Sequence, residues 1–419
     1  MLVMTMIGYT LFYFLRKNFS FAMPGLAQDY GITKTSLGNF LFAGGLVYGL
    51  SKFLNGFIGD RVNSRKMLCF GLLVCTLINV AFGFVPDFTS GRVMVWTFGA
   101  LLVLNQFFQG TGFPPCARLI AFWVPPHELA TKMSVWNTSH SVGGGLVAKV
   151  CGVIMGLGVL GAANQGVGMW KWCFWTMAIL GALGLVAMWL ALPGTPEEEG
   201  FGEANSFVGL GPSSSPQIAR PSAMRNVFLS PAIWMLGLCN FSINAVRSLV
   251  ADWGPTMLQE AKGFSASESG TVIMLFEFAG IVGMLASGWA TDRLFGGRAP
   301  RLCVFLMALT ALLLAAFWIL PSAAVASVAL IVAGFTLYGP QALTGVTATN
   351  LATKSLTGTA IGFISLFSYI GVSISGKLCG NLAQDCGGWS VPVFAMSGVA
   401  VCGTLFFLTL WRARATPSA

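Results

Sequence analysis

Apolar residues recur along the chain in continuous stretches of about twenty, separated by short turns that carry most of the charges. Twelve such stretches run over 2–25, 37–58, 66–86, 93–122, 134–160, 170–193, 232–258, 267–290, 301–320, 322–347, 356–381 and 389–411. A helix rises about 1.5 Å per residue, so about twenty apolar residues cross the roughly 30 Å hydrocarbon layer of a bilayer. The runs do not alternate, as the roughly ten-residue strands of a membrane β-barrel would. One break is long: residues 194–231 pass from PGTPEEEGFGEANSF to GLGPSSSPQIARPSAMRN. This Pro/Ser/Gly-rich segment predicts an exposed linker. The expected organisation is a six-helix half over residues 1–193, a cytoplasmic linker over 194–231 and a second six-helix half over 232–419.

Composition narrows the class. Only 9% of the 419 residues are charged and 55% are apolar, against about 25% charged in an ordinary soluble domain. That excludes a soluble enzyme, and apolar content spread along the whole chain excludes disorder. Glycine is abundant, at 52 residues, which suits helices packed closely in lipid. The ten cysteines form no CxxC and no Cys/His cluster, and there are two histidines. They read as small membrane-buried residues, so no metal and no cofactor is expected.

The two halves read as repeats. GFIGDRVNSRK (Gly56 to Lys66) is echoed by GWATDRLFGGR (Gly288 to Arg298). Asp60-Arg61 and Asp292-Arg293 are 232 residues apart, Arg16 and Arg247 are 231 apart, and Gly143 and Gly371 are 228 apart. Parallel six-helix repeats place a transporter's site near the midplane, between the halves. With both termini cytoplasmic, thirteen Lys and Arg fall in inner loops and four in outer ones, which sets the orientation. That basic inner face also explains much of the +9 net charge without any nucleic acid.

Six basic residues remain inside predicted helices: Arg16, Lys17, Lys52, Lys149, Arg247 and Lys377. Each costs about 2.5–3.5 kcal/mol at the bilayer centre on insertion scales. Only Asp252 and Glu277 lie as deep among the acids, so the interior predicts an anion site. At about 100° per residue, Tyr9, Tyr13 and Arg16 share one helical face. Asn240, Asn244 and Arg247 repeat that pattern, Tyr48 and Lys52 share a face, and so do Trp136 and His140. A guanidinium fork matches phosphate or carboxylate bidentately, and two of them suit one tetrahedral dianion. Phosphate is therefore the first expectation and a dicarboxylate the second. The Asp-Arg loops read as gating and packing elements. GVSISGKL (Gly371 to Leu378) only imitates a phosphate-binding loop, because Leu378 stands where Ser or Thr would hold magnesium. His140 and Asp252 have no activated nucleophile with them, so no enzyme is expected.

LFYFLRKNFSFAMP (Leu11 to Pro24) resembles the organophosphate:phosphate antiporters of the major facilitator superfamily. So do YGLSKFLNGFIGDRVNSR, FFQGTGFPPCARL, SVWNTSHSVGGG, VRSLVADWGPTML, FEFAGIVG and LYGPQALTG. That family includes hexose-phosphate and glycerol-3-phosphate transporters, a hexose-phosphate sensor and an animal glucose-6-phosphate transporter. The resemblance implies an all-α major facilitator fold of twelve transmembrane helices. It implies that Arg16 and Arg247 bind phosphate, with Lys52 and His140 nearby. It also implies site-lining tyrosines at Tyr9, Tyr13, Tyr48, Tyr338 and Tyr369, and the expected lining further includes Trp136, Asn137, Asn244, Gln341 and Lys377. Lys17, Asp252 and Glu277, with Asp60, Arg61, Asp292 and Arg293, fall in salt-bridge and gating roles. The eleventh helix departs from hexose-phosphate transporters, keeping Lys377 without their nearby aspartate.

The expected function is exchange of a phosphorylated sugar, glucose 6-phosphate first, for inorganic phosphate by rocker-switch alternating access. A second reading is a receptor of external hexose phosphate with a sensor-kinase partner, and a third is a carrier of glycerol 3-phosphate or phosphoglycerate. A monomer in the inner membrane of a bacterium is expected. The chain starts almost inside its first apolar stretch, so a native cytoplasmic lead segment is expected to be very short or missing.

Overall fold

The computed structural model describes residues 1–59, 61–160, 168–196, 199–200, 229–351 and 357–412. Asp60 and most of the expected linker lie outside the described residues. The described elements are all helical: α1 (Leu2–Tyr30), α2 (Lys34–Gly59), α3 (Ser64–Phe88), α4 (Gly91–Gln109), α5 (Phe113–Trp123), α6 (Pro126–Leu160), α7 (Trp170–Ala191), α8 (Pro231–Lys262), α9 (Ala266–Arg293), α10 (Ala299–Ile319), α11 (Ala323–Leu351), α12 (Thr357–Asp385) and α13 (Ser390–Thr409). Among the described residues, eleven spans are long and apolar enough to cross a membrane, with α4 and α5 counting as one. α1 is equally long, at 29 residues, but Arg16 and Lys17 interrupt its apolar run. With it the spans number twelve.

Several boundaries differ from the apolar stretches. α1 and α8 continue past the predicted ends at 25 and 258, running through Pro24 and Pro255. Proline is tolerated inside membrane helices because neighbouring groups satisfy the freed backbone. α6 begins eight residues before the apolar stretch at 134; its polar first turns carry a Glu128–Lys132 ion pair at 3.7 Å. The fourth stretch is not one helix. It breaks at Gly110–Gly112, ahead of Pro114 and Pro115.

The chain divides into two compact units: Met1–Ser215 with Ser265–Thr271, and Pro216–Phe264 with Val272–Ala419. In the first, α1 packs on α6 and α7, and α3 packs on α7 and α4. In the second, α8 packs on α12 and α13, and α10 packs on α13 and α11. This is the same pairing pattern one repeat later. The glycines of the repeat sit at matching contacts. A Cβ on Gly143 would lie 2.7 Å from Tyr13 Cβ, and one on Gly371 would lie 2.5 Å from the Phe241 carbonyl oxygen. Tyr13 and Phe241 are themselves 228 residues apart.

Overpacking of this kind costs about 1–3 kcal/mol. Gly371→Val should therefore lower the thermal midpoint of the solubilised protein by several degrees. Gly56→Ala, whose added Cβ meets nothing within 4 Å, should leave it unchanged. An unaltered midpoint in Gly371→Val would mean that α8 and α12 separate freely at this contact.

Candidate functional site

In the first unit, one face of α1 carries Tyr9, Tyr13 and Arg16, and α2 brings up Tyr48. The Arg16 guanidinium lies 4.3 Å from the Tyr13 ring centre and 4.6 Å from that of Tyr48. Tyr48 hydrogen-bonds both Arg16 and Tyr9. A cation held between two ring faces gains quadrupole attraction that offsets part of the cost of its burial. Among the described residues Arg16 has no carboxylate partner. Lys17, beside it in sequence, is half-buried.

Lys52 Nζ stands 4.0 Å from the Phe113 ring centre. The break between α4 and α5 makes this possible. A Cβ on Gly110 would come within 2.9 Å of the Lys52 backbone nitrogen, so glycine lets the two chains touch there. Phe113 then turns its ring toward Tyr9, 6.3 Å away, and Trp136, 5.6 Å away. Trp136 is fully buried behind Tyr9, with ring centres 4.7 Å apart, and its Nε1 has no hydrogen-bond partner. On the same helix His140 packs 5.9 Å from the Tyr13 ring. Its Nδ1 meets the Asn137 carbonyl, and its Nε2 lies 3.3 Å from Ser141 Oγ. The Asn137 side chain is exposed.

The second unit holds a three-residue network. Arg247 Nε donates to Tyr338 Oη at 2.7 Å, and its Nη2 lies 3.2 and 3.4 Å from the two Glu277 oxygens. Tyr338 Oη in turn donates to Glu277 Oε2. The Glu277 side chain is 3% exposed and that of Arg247 is 13%. A buried pair with its lone pairs this well satisfied offsets the cost of taking both charges out of water. Gln341, just after Pro340, has its Oε1 buried without a partner. Asn244 is turned to its own helix, donating to Asn240 O at 2.8 Å and to Asn240 Oδ1 at 3.1 Å. Asn240 in turn ties α8 to α12 through Ile364 O and Ser368 Oγ, at 3.1 and 2.6 Å. Asp252 accepts from Ser248 Oγ at 2.7 Å. Tyr369 is half-buried and Lys377 exposed, both on α12.

The Asp-Arg loops lie at helix ends. Arg61 is exposed and donates to the Phe57 carbonyl at 3.1 Å. Asp292 and Arg293 are exposed at the end of α9. Arg118, counted in the sequence only as a loop charge, reaches from α5 to the Gly59 and Val62 carbonyls at 2.5 and 2.9 Å. Phe113 and Arg118 were not singled out by sequence reasoning. Their signals were the FFQGTGFPPCARL segment and its Gly-Phe-Pro-Pro break, at which α5 begins.

Residues 5–376 match the Major Facilitator Superfamily. The chain is 34% identical over 418 residues to the glycerol-3-phosphate transporter of Bacillus subtilis, covering 97% of this chain and 90% of that protein. It is 33% identical over 389 residues to the membrane sensor protein UhpC of Salmonella typhimurium, covering 90% and 83%. In fold it is similar to a bacterial homologue of the human lysosomal transporter Spinster, with a TM-score of 0.78 at 15% identity over 100% of this chain and 98% of that one. The chain belongs to the Major Facilitator Superfamily, in its organophosphate:phosphate antiporter branch, and is a multi-pass membrane protein rather than an enzyme.

Proposed function

We propose that this protein exchanges a phosphorylated sugar, glucose 6-phosphate first, for inorganic phosphate by rocker-switch alternating access. Residues 1–193 and 232–419 are the two moving halves, joined by the linker over 194–231. The protein acts as a monomer in a bacterial inner membrane with both termini cytoplasmic, an orientation supported by thirteen inner against four outer basic loop residues. Arg16 and Arg247 grip the phosphoryl group from the two halves, with Lys52 and His140 beside it. Tyr9, Tyr13, Tyr48, Trp136, Asn137, Asn244, Tyr338, Gln341, Tyr369 and Lys377 line the path.

The observation that carries this reading is the setting of the two arginines. Arg16 is a mid-helix guanidinium held by tyrosine faces, with no carboxylate among the described residues. It is a cation prepared for an anion that no described residue supplies. Arg247 does have an internal anion, Glu277. In the empty carrier Glu277 neutralises it, and a phosphoryl dianion competes for the same donors. The bound dianion lowers the free energy of the occluded state relative to the open ones, which is what drives a population shift. Lys17, Asp252, Asp60, Arg61, Asp292 and Arg293 act in gating rather than on the ligand.

The test is counterflow in proteoliposomes. Phosphate is loaded inside and labelled glucose 6-phosphate added outside, with phosphate-free vesicles in parallel. Uptake that requires internal phosphate is the expected result. The likeness to a sensor protein favours one other reading, a receptor for external hexose phosphate that signals to a membrane kinase. Saturable binding without uptake would establish that reading and refute exchange. Exchange of glycerol 3-phosphate or phosphoglycerate alone would keep the mechanism and replace the sugar.

A further inference from the structure

One turn of α1 is held by amide side chains from neighbouring helices. Asn105 on α4 donates from Nδ2 to the Leu15 carbonyl at 2.8 Å, and Asn79 on α3 donates to the same oxygen at 3.1 Å. Asn79 also donates to Cys75 O at 2.8 Å, and its Oδ1 accepts from Asn18 Nδ2 at 2.7 Å. Asn18 Nδ2 donates in addition to Cys173 O on α7 at 3.2 Å. The three amides are at most 1% exposed. α1 is thus gripped at residues 15 and 18, which flank Arg16, by groups on α3, α4 and α7.

Apolar packing is non-directional and lets a helix turn or slide by a fraction of a residue. Hydrogen bonds to one chosen carbonyl do not. A side chain reaches about 6 Å from the helix axis, so a rotation of about 15° moves its tip by about 1.5 Å. A binding constellation tolerates roughly 0.5 Å. Proline at 24 adds to the need, since it removes one hydrogen bond from the ladder that stiffens α1 further along.

Stability alone accounts poorly for Asn105. Its Oδ1 is buried and has no hydrogen-bond partner, which is costly away from water. Leucine would fill that place without an orphaned oxygen. What asparagine contributes is the directed bond to Leu15.

We propose that Asn79 and Asn105 are positioning residues that hold the Arg16-bearing turn of α1 at the height and rotation needed to bind phosphate. The proposal rests on the reading of Arg16 as a phosphate ligand.

The experiment compares full-length Asn105→Leu and Asn79→Ala with the unmodified protein. Equilibrium binding of inorganic phosphate, the KM and kcat of phosphate exchange, and the thermal midpoint are measured on each. Ser397→Ala serves as the control, because it removes a comparable interhelical bond, from Ser397 Oγ to Ala311 O at 2.8 Å, between α13 and α10. Both asparagine variants should raise the phosphate Kd and KM about ten-fold, equivalent to about 1.4 kcal/mol, with kcat little changed. Ser397→Ala should keep the unmodified Kd. A lowered thermal midpoint with unmodified Kd in the folded fraction would overturn positioning and leave the amides as packing groups. If Asn105→Leu yields no folded protein, Asn79→Ala decides on the same scale. Arg16→Ala is measured alongside: if it too binds phosphate normally, the arginine reading itself fails and the proposal with it. Loss in Arg16→Ala with unmodified binding in the asparagine variants rejects positioning alone.

Discussion

Arg16→Ala should abolish phosphate exchange while leaving the protein as stable as before, whereas Arg247→Ala should lose both exchange and stability. The two arginines share a proposed role but not an environment. Arg16 is surrounded by tyrosine rings, so its removal strands no carboxylate. Arg247 is the partner of a buried Glu277, and breaking a buried pair from one side costs about 3–5 kcal/mol because a charge is left behind. Truncating one partner of a desolvated charge contact with the ligand costs about 2–5 kcal/mol, or about 30- to several-thousand-fold in affinity at 1.4 kcal/mol per decade. Phosphate binding and thermal midpoint, measured together, separate the cases. The double variant Arg247→Ala/Glu277→Gln should regain the midpoint and not the binding. Unmodified phosphate affinity in either single variant would remove that arginine from the site.

Glu277→Gln should bind phosphate about ten-fold more tightly and exchange it more slowly. Glutamine keeps the size of the side chain and one acceptor oxygen for Tyr338 and Arg247 but lacks the negative charge. Charge-assisted hydrogen bonds contribute about 1.5–3 kcal/mol against about 0.5–1.5 for neutral ones. Removing the internal competitor therefore leaves Arg247 more available by about 1 kcal/mol or somewhat more, close to one decade. Tighter binding delays release, so turnover falls as affinity rises. Equilibrium binding and the exchange rate at saturating phosphate give the two readouts. Weaker binding in Glu277→Gln would mean that the carboxylate orients Arg247 for the ligand instead of competing with it.

The spans were legible from hydropathy because crossing a bilayer is a local requirement, met residue by residue along about 30 Å. The errors fell where another rule applied. The apolar stretches end at 25 and 258, yet both helices continue to Tyr30 and Lys262. The polar turns before residue 134 did not look like a span, yet they are helical because α6 extends beyond the apolar window. Gly110 and Gly112 were visible as letters, but only the tertiary structure shows what the break accommodates, the α2 backbone at Lys52 against Gly110 and the Phe12 ring of α1 against Gly112. The shared faces of Tyr9, Tyr13 and Arg16, and of Asn240, Asn244 and Arg247, followed from helical periodicity. The second of these faces is nevertheless divided. Arg247 turns to Glu277 and Tyr338, while Asn240 and Asn244 serve the contact with α12.

By itself, then, the amino-acid order determined that this chain is an all-helical membrane protein with two repeated halves and an excess of basic over acidic residues within its apolar spans. Length, hydropathy and charge are sums along one dimension, so they survive without coordinates. Only the tertiary structure decided which groups answer those charges. Glu277 is 30 residues from Arg247 and Tyr338 is 91, while Asn79 and Asn105 reach Leu15 across 64 and 90 residues. No periodicity within a helix encodes such pairs. They are selected by which helices pack together and at what rotation, because in a low-dielectric interior a polar group must find whichever partner the packing brings within about 3 Å.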